Sequence, residues 1–158
     1  IIISILKEST KSKGVGWDIS KNAIKIGKIN AKLQQVDNRI KFINSNIDKF
    51  NCGKYDLIVS NPPYIPTKEI KNLSKDIINH EPKSALDGGI DGLDLIKKVI
   101  YKSNGLLKRN GLLALELGYK QYRKVSDMLK KNGFREIGKE CDNNQNVRCI
   151  ISTKEAFF

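Results

Sequence analysis

Apolar and polar positions along this chain change period several times, and each change predicts an element. Lys13–Asp18, "KGVGWD", reads as a short strand ending on an acid. Ser20 follows where its hydroxyl can accept from the orphan amides of a first helical turn. In that helix Ile26, Ile29, Leu33 and Val36 fall at helical spacing and predict one apolar stripe. Arg39–Ser45 alternates as a strand, and Tyr55–Ser60 reads as an apolar run of the kind covered on both faces. Helical spacing returns over Leu93–Leu107 through Leu93, Ile96, Val99 and Ile100. Leu112–Leu117 is a third buried strand, and Tyr119–Asn132 a helix closed by Gly133. Phe134–Lys139 and Val147–Thr153 then follow as two strands in succession, an antiparallel pair. Strands alternating with helices predict an α/β fold with a mostly parallel sheet and a C-terminal antiparallel hairpin.

Composition narrows this only a little. The 158 residues suit one domain covering 1–158, with no internal repeat or low-complexity linker. The formal charge of +12 suggests nucleic acid as one class of partner. The lysines are scattered singly and in pairs, however, and the chain is rich in Ile and Asn, so compositional bias explains the charge at least as well. Cys52, Cys141 and Cys149 show no metal spacing, and His80 is the only histidine. Reduced thiols, a cytoplasmic location, no metal, no secretory leader and no membrane span are therefore expected.

Candidate chemistry lies at two strand ends, because open parallel sheets bind ligands at the carboxyl ends of their strands. Asp18 is one. It could grip the paired hydroxyls of a ribose or merely favour the start of the next helix. The other is "DLIVSNPPYIP", where the strand stops at Asn61 and meets two prolines and a tyrosine. The Asn61 side chain and the Pro62 carbonyl each present an acceptor, and a planar NH₂ group has two hydrogens to give. Pro63 fixes its own φ and restricts Pro62, holding those acceptors at a set separation. Tyr64 offers a flat face beside them. Positioning of this kind suits a weak nucleophile such as an amide nitrogen. The plainer alternative is that the prolines only terminate the strand. The next 25 or so residues are rich in loop, longer than an ordinary connection.

With Asn-Pro-Pro-Tyr ending a parallel strand, the chain resembles S-adenosylmethionine-dependent methyltransferases that act on planar NH₂ groups. Through "GVGWDIS", "DLIVSNPPYIP", "HEPKSALDGGIDGL" and "LELGYKQ" it is most similar to the bacterial peptide chain release factor glutamine methyltransferases, the HemK/PrmC family. That resemblance covers essentially the whole chain and implies a Rossmann-like class I methyltransferase fold. It implies methyl transfer from S-adenosylmethionine, with S-adenosylhomocysteine as product, to a glutamine side-chain amide in a Gly-Gly-Gln motif. It further implies release factors as partners of a monomer, without nucleic acid or membrane.

Carried over by position, Asn61 and Pro62 would hold the substrate amide while Tyr64 packs on it. Pro63, Glu81 and Pro82 would shape the substrate loop. Asp18 would bind the donor's ribose, with Asn46 and Ile47 beside the adenine and Asn61 also near the donor. The family usually has Ser-Asp where this chain has Ser45-Asn46, which implies a tuned adenine site. Glu116 and Arg148 are read as structural, since a buried charge needs a partner.

Two alternatives accompany this reading. A sister family methylates a glutamine of a ribosomal protein, but tends to lack the residue found here as Gln121. Amino-methyltransferases of DNA or RNA share the Asn-Pro-Pro-Tyr run. The family's glycine-rich loop and the first strand before it have no counterpart in the sequence, so an N-terminally truncated chain with little or no activity of its own is expected. The missing strand would lie in the middle of the sheet, between the Asp18 and Asn61 strands.

Overall fold

The computed structural model describes residues 1–49 and 51–155. The chain divides into two compact units, Ile1–Phe50 and Asn51–Phe158.

In the first unit, helix α1 (Ile2–Glu8) precedes strand β1 (Gly14–Asp18), helix α2 (Lys21–Leu33) and strand β2 (Ile40–Asn44). The two strands are parallel, in register from Gly14 opposite Ile40 to Asp18 opposite Asn44. Ser20 caps α2 as expected, its hydroxyl accepting the Ala23 amide at 3.2 Å. Arg39 closes the other end of the unit. Its guanidinium donates to the carbonyls of Leu6, Ser9 and Ser12 at 2.6–3.0 Å, satisfying the end of α1 and the turn after it.

The apolar stripe of α2 is not the one the spacing predicts. Ile24 and Ala31 are buried, with Val36 just beyond the helix, whereas Ile26, Ile29 and Leu33 are half or more exposed. Small residues explain the choice. A Cβ on Gly27 would lie 2.8 Å from the Phe42 ring, so the helix approaches β2 closely along its Ile24-Gly27-Ala31 face. Bulky Ile and Leu would hold it off. Leu6, Ala31 and Val36 form the centre of this core, with Ile2, Ile3, Ile40 and Phe42 packed around them.

The second unit carries strand β3 (Tyr55–Ser60), short helices α3 (Lys75–His80) and α4 (Lys83–Leu86), and helix α5 (Asp94–Leu106). Strand β4 (Leu107–Glu116), helix α6 (Tyr122–Lys131) and strands β5 (Phe134–Cys141) and β6 (Val147–Lys154) follow. The sheet order is β3-β4-β6-β5, with β3 parallel to β4 and the last three strands antiparallel. Parallel strands followed by a C-terminal antiparallel hairpin are what the pattern predicts. Leu93, Ile96, Val99 and Ile100 are buried as their spacing implies. Gly133 sits just past α6 at φ +77°, a left-handed position that glycine adopts without steric cost. Leu113, Leu115 and Leu117 from β4 and its end meet Val125, Leu129, Phe134 and Ile150 in the set of fully buried side chains. Each such side chain contributes roughly 1.5–3 kcal/mol by leaving water.

β3 is not covered on both faces as its apolar run predicts, because one face stays open. Leu57 and Val59 are about two-fifths exposed. Among the described residues β3 has a ladder with β4 alone, and β1 with β2 alone, so each is the edge of its own sheet. An edge strand leaves its outer row of backbone groups unpaired.

Candidate active site

The run after β3 does more than end a strand, because the loop rich in glycine downstream is bonded onto it. Ile65 N–H donates to the Leu86 carbonyl at 3.0 Å, Gly88 N–H to the Ile65 carbonyl at 2.9 Å, and Thr67 N–H to the Gly89 carbonyl at 2.9 Å. Together these make a short parallel bridge between Ile65 and Asp87. The glycines permit the approach. A Cβ on Gly88 would lie 2.8 Å from the carbonyl oxygens of Pro63 and Gly92, and one on Gly92 only 2.3 Å from the Tyr64 carbonyl oxygen. "NPPYIP" and "DGGIDGL" are therefore one backbone assembly, although they lie some twenty residues apart.

Asp87 locks this assembly. Its Oδ1 accepts from the Thr67 hydroxyl at 2.6 Å and from the Gly89 amide at 3.0 Å. The Thr67 hydrogen bond first, then the Gly89 amide, hold the Asp87 carboxyl below the usual carboxylate range against the opposing effect of desolvation, with Lys83 adding attraction.

Asn61 is exposed at the carboxyl end of β3, Pro62 is buried beneath it, and Pro63 and Tyr64 are half-buried. The Tyr64 phenol donates to Glu116 Oε1 at 3.3 Å and accepts from Arg148 Nη2 at 3.2 Å. The Arg148 guanidinium also stands 5.6 Å from the centre of the Tyr64 ring. Glu116 ends β4 and Arg148 lies at the start of the neighbouring antiparallel β6, so the sheet delivers both to the end from which Tyr64 emerges. Arg148 is itself flanked by Asp142, at 4.0 Å. Sequence reasoning gave Glu116 and Arg148 a structural role without finding their shared partner. The signal was there in part, since each sits beside a strand end.

Glu81 and Pro82 stand apart from this contact. Both are exposed, Glu81 ending α3 and Pro82 opening α4, and their path leads to Leu86 and the bridge rather than to Tyr64 directly. His80 Nδ1 lies 2.9 Å from the Asp76 carbonyl within its own helix. Cys149 faces Glu116 across the ladder. Burial first, then the charges of Glu116 and Glu140, push its thiol up, so it stays protonated at neutral pH. No cluster of His, Cys, Asp and Glu among the described residues could hold a metal ion, and no helix among them is long and apolar enough to cross a membrane.

Of the residues expected on the donor side, Asp18, Asn46 and Ile47 lie in the first unit, at or just past the carboxyl ends of adjacent strands, and Asn61 lies in the second. Asp18 is exposed and opposite Asn44 in register. Its Oδ1 accepts the Ser20 amide at 2.7 Å, while Asn44 Nδ2 donates to the Asp18 and Ile19 carbonyls at 3.1 and 2.7 Å. The turn after β2 is held close by, with Ser45 N–H on the Asp18 carbonyl and the Trp17 indole on the Ser45 carbonyl. Asn46 Oδ1 accepts the Asp48 amide at 3.0 Å, and Ile47 begins a single 3₁₀ turn. Asp18, Asn46 and Ile47 are thus brought to one edge of the unit.

A profile of the family described as Eco57I restriction-modification methylase matches residues 4–158. The chain belongs to that family. The curated relatives include a release factor glutamine methyltransferase from Agrobacterium fabrum, 35% identical over 150 residues, covering 95% of this chain and 52% of the relative. Another, from Fusobacterium nucleatum, is 39% identical over 156 residues, covering 98% of this chain and 44% of the relative. The chain spans about half the length of the curated relatives it matches. Among solved structures, a methyltransferase from Pyrococcus furiosus superposes with a TM-score of 0.70 at 16% identity, over 98% of this chain and 69% of its own. The fold is that of the class I S-adenosylmethionine-dependent methyltransferases, and the resemblance to release factor glutamine methyltransferases holds along almost the whole chain.

Proposed function

We propose that this chain is the methyl-transfer portion of an S-adenosylmethionine-dependent protein-glutamine N-methyltransferase, acting on the glutamine of the Gly-Gly-Gln motif of peptide chain release factors. The observation that carries it is the Asn61–Tyr64 turn, fastened to the glycine loop and braced through Tyr64, in a chain whose relatives bear the name release factor glutamine methyltransferase.

In this reading the Asn61 amide oxygen and the Pro62 carbonyl accept the two hydrogens of the substrate NH₂. Tyr64 lies against the planar amide and limits its rotation. Amide nitrogen is a weak nucleophile, so its alignment supplies most of the rate enhancement. S-adenosylmethionine supplies the electrophilic methyl group when bound. The exposed Asp18 carboxylate suits its ribose hydroxyls, and Asn46 and Ile47 its adenine, because these groups gather at the carboxyl ends of β1 and β2 where doubly wound sheets hold nucleotides. The nitrogen becomes far more acidic as its new bond forms, so its proton passes to solvent without a dedicated base.

A second reading, methylation of an amino group in DNA or RNA, is favoured by the family description and the +12 charge. Incubating the native full-length protein with radiolabelled donor and either a release factor or nucleic acid separates the two. Label should enter the release factor, and Asn61→Ala should reduce it by about 100-fold. Label in nucleic acid alone overturns the proposal.

A further inference from the structure

Gln121 is a buried side chain at the start of α6 whose amide is fully committed. Its Oε1 accepts the Gly118 amide at 2.8 Å, and its Nε2 donates to the Tyr64 carbonyl at 2.9 Å and to the Gly92 carbonyl at 3.1 Å. An amide NH₂ has two hydrogens, and both are spent here. The orientation of the group is dictated as well, because a flip would set its oxygen against two carbonyl oxygens and its NH₂ against an N–H.

Three chain segments converge on this one side chain: the turn after β3, the glycine loop before α5, and the turn after β4. Each is shaped to admit it. A Cβ on Gly92 would lie 2.8 Å from Gln121 Nε2, and one on Gly118 would lie 2.8 Å from Gln121 Oε1 and 2.9 Å from the Tyr64 ring. Tyr64 is thereby held at both ends, by Gln121 at its backbone carbonyl and by Glu116 and Arg148 at its hydroxyl.

We infer that Gln121 is a positioning residue for methyl transfer: its two N–H bonds set the placement of the Tyr64 ring and of the acceptors preceding it. This rests on the reading of Asn61–Tyr64 as the amide-binding turn. Both Gln121 N–H groups are taken up by backbone carbonyls within the protein. The residue acts through the Tyr64 carbonyl, and at the same time ties the glycine loop to the turn through Gly92.

Two variants of the native full-length protein test this. Gln121→Leu removes all three hydrogen bonds at similar volume. Gln121→Glu keeps an acceptor for Gly118 but has at most one hydrogen to donate, and none when ionised, so at neutral to alkaline pH it sets an oxygen against the Tyr64 and Gly92 carbonyls and breaks that link. Both should lower kcat for release-factor methylation about 10- to 100-fold, the cost of misplacing reacting groups by around an ångström. Donor affinity, measured by calorimetry, should stay within about twofold, because Asp18, Asn46 and Ile47 are in the other unit and bond to none of the groups Gln121 holds. In protein carrying fluorotyrosine, the Tyr64 resonance, assigned through Tyr64→Phe, should shift or broaden in both variants.

If Gln121→Leu fails to fold, Gln121→Glu with thermal unfolding and the fluorine spectrum carries the test. An unmoved Tyr64 resonance, or a Gln121→Glu variant with kcat within about twofold of wild type, overturns the inference and leaves the proposed function standing. Loss of kcat matched by equal loss of donor affinity also overturns it, marking a general structural role. A wild-type protein that methylates no release factor overturns the proposed function itself, whatever the Tyr64 spectrum shows.

Discussion

Arg148 reaches back 84 residues to Tyr64, giving its phenol oxygen a 3.2 Å hydrogen bond while the guanidinium stands over the ring. One residue opens the last strand and the other follows the third, and the sheet makes them neighbours. Removing the guanidinium in Arg148→Ala should cost roughly 1–3 kcal/mol, combining a charge-assisted hydrogen bond with a cation–π contact. Arg148→Lys should recover only part of this, since an ammonium cannot both cover the ring and reach the hydroxyl with a planar fork. Urea denaturation of the two variants beside Tyr64→Phe gives the comparison. If all three match wild type, Tyr64 is not braced from this side.

Gly92 makes the close approach of the glycine loop possible. At φ +73°, with space for a Cβ only 2.3 Å from the Tyr64 carbonyl oxygen, it resists any side chain. Gly92→Ala should loosen the Tyr64 turn and destabilise the protein by at least 1 kcal/mol or so, the cost of a strained backbone position. Proteolysis should then cut faster between β3 and α5, while Gly105→Ala, with open space around its Cβ, should not have this effect.

The Asp87 lock has a definite pH signature. Its carboxyl titrates below its ordinary value of about 3.9 in the folded protein, so its contribution is complete above that value. It is lost as pH falls through the lower folded pKa. The loop should therefore hold unchanged through neutral and weakly acidic solution and loosen only below about pH 4. Thr67→Val removes the largest cause of the depression. An NMR titration should place Asp87 higher in that variant than in wild type, and identical curves would remove Thr67 from the lock.

On α2 the buried and exposed faces can be tested by exchanging size and polarity. Ile29→Gln, at a half-exposed position, should change stability by no more than about 0.5 kcal/mol. Ala31→Leu, at a position with no exposed surface, should destabilise by about 1–3 kcal/mol through overpacking. Chemical denaturation of the pair checks this, and the opposite order would restore the stripe that spacing alone predicts.

Much of the fold was legible because periodicity and turn chemistry are local. The strands beginning near Gly14, Ile40, Tyr55 and Phe134, the Ser20 cap and the Gly133 stop all lie where pattern alone puts them. α2 was misread for a reason the pattern cannot contain. Ile26, Ile29 and Leu33 are the more apolar choice, but the helix is seated by how closely Gly27 and Ala31 let it approach Phe42. Hydrophobicity ranks faces by transfer energy, whereas packing selects by shape.

For the candidate site, the sequence by itself determined which residues could offer acceptors to an amide and where the chain would stop to present them. Asn61, Pro62 and Tyr64 are consecutive or nearly so, and proline restricts its neighbours through covalent geometry. Only the tertiary structure decided what holds that turn. Gln121, Glu116 and Arg148 reach Tyr64 across separations of 57, 52 and 84 residues. A hydrogen bond depends on distance and direction in space, and strand order and register set both.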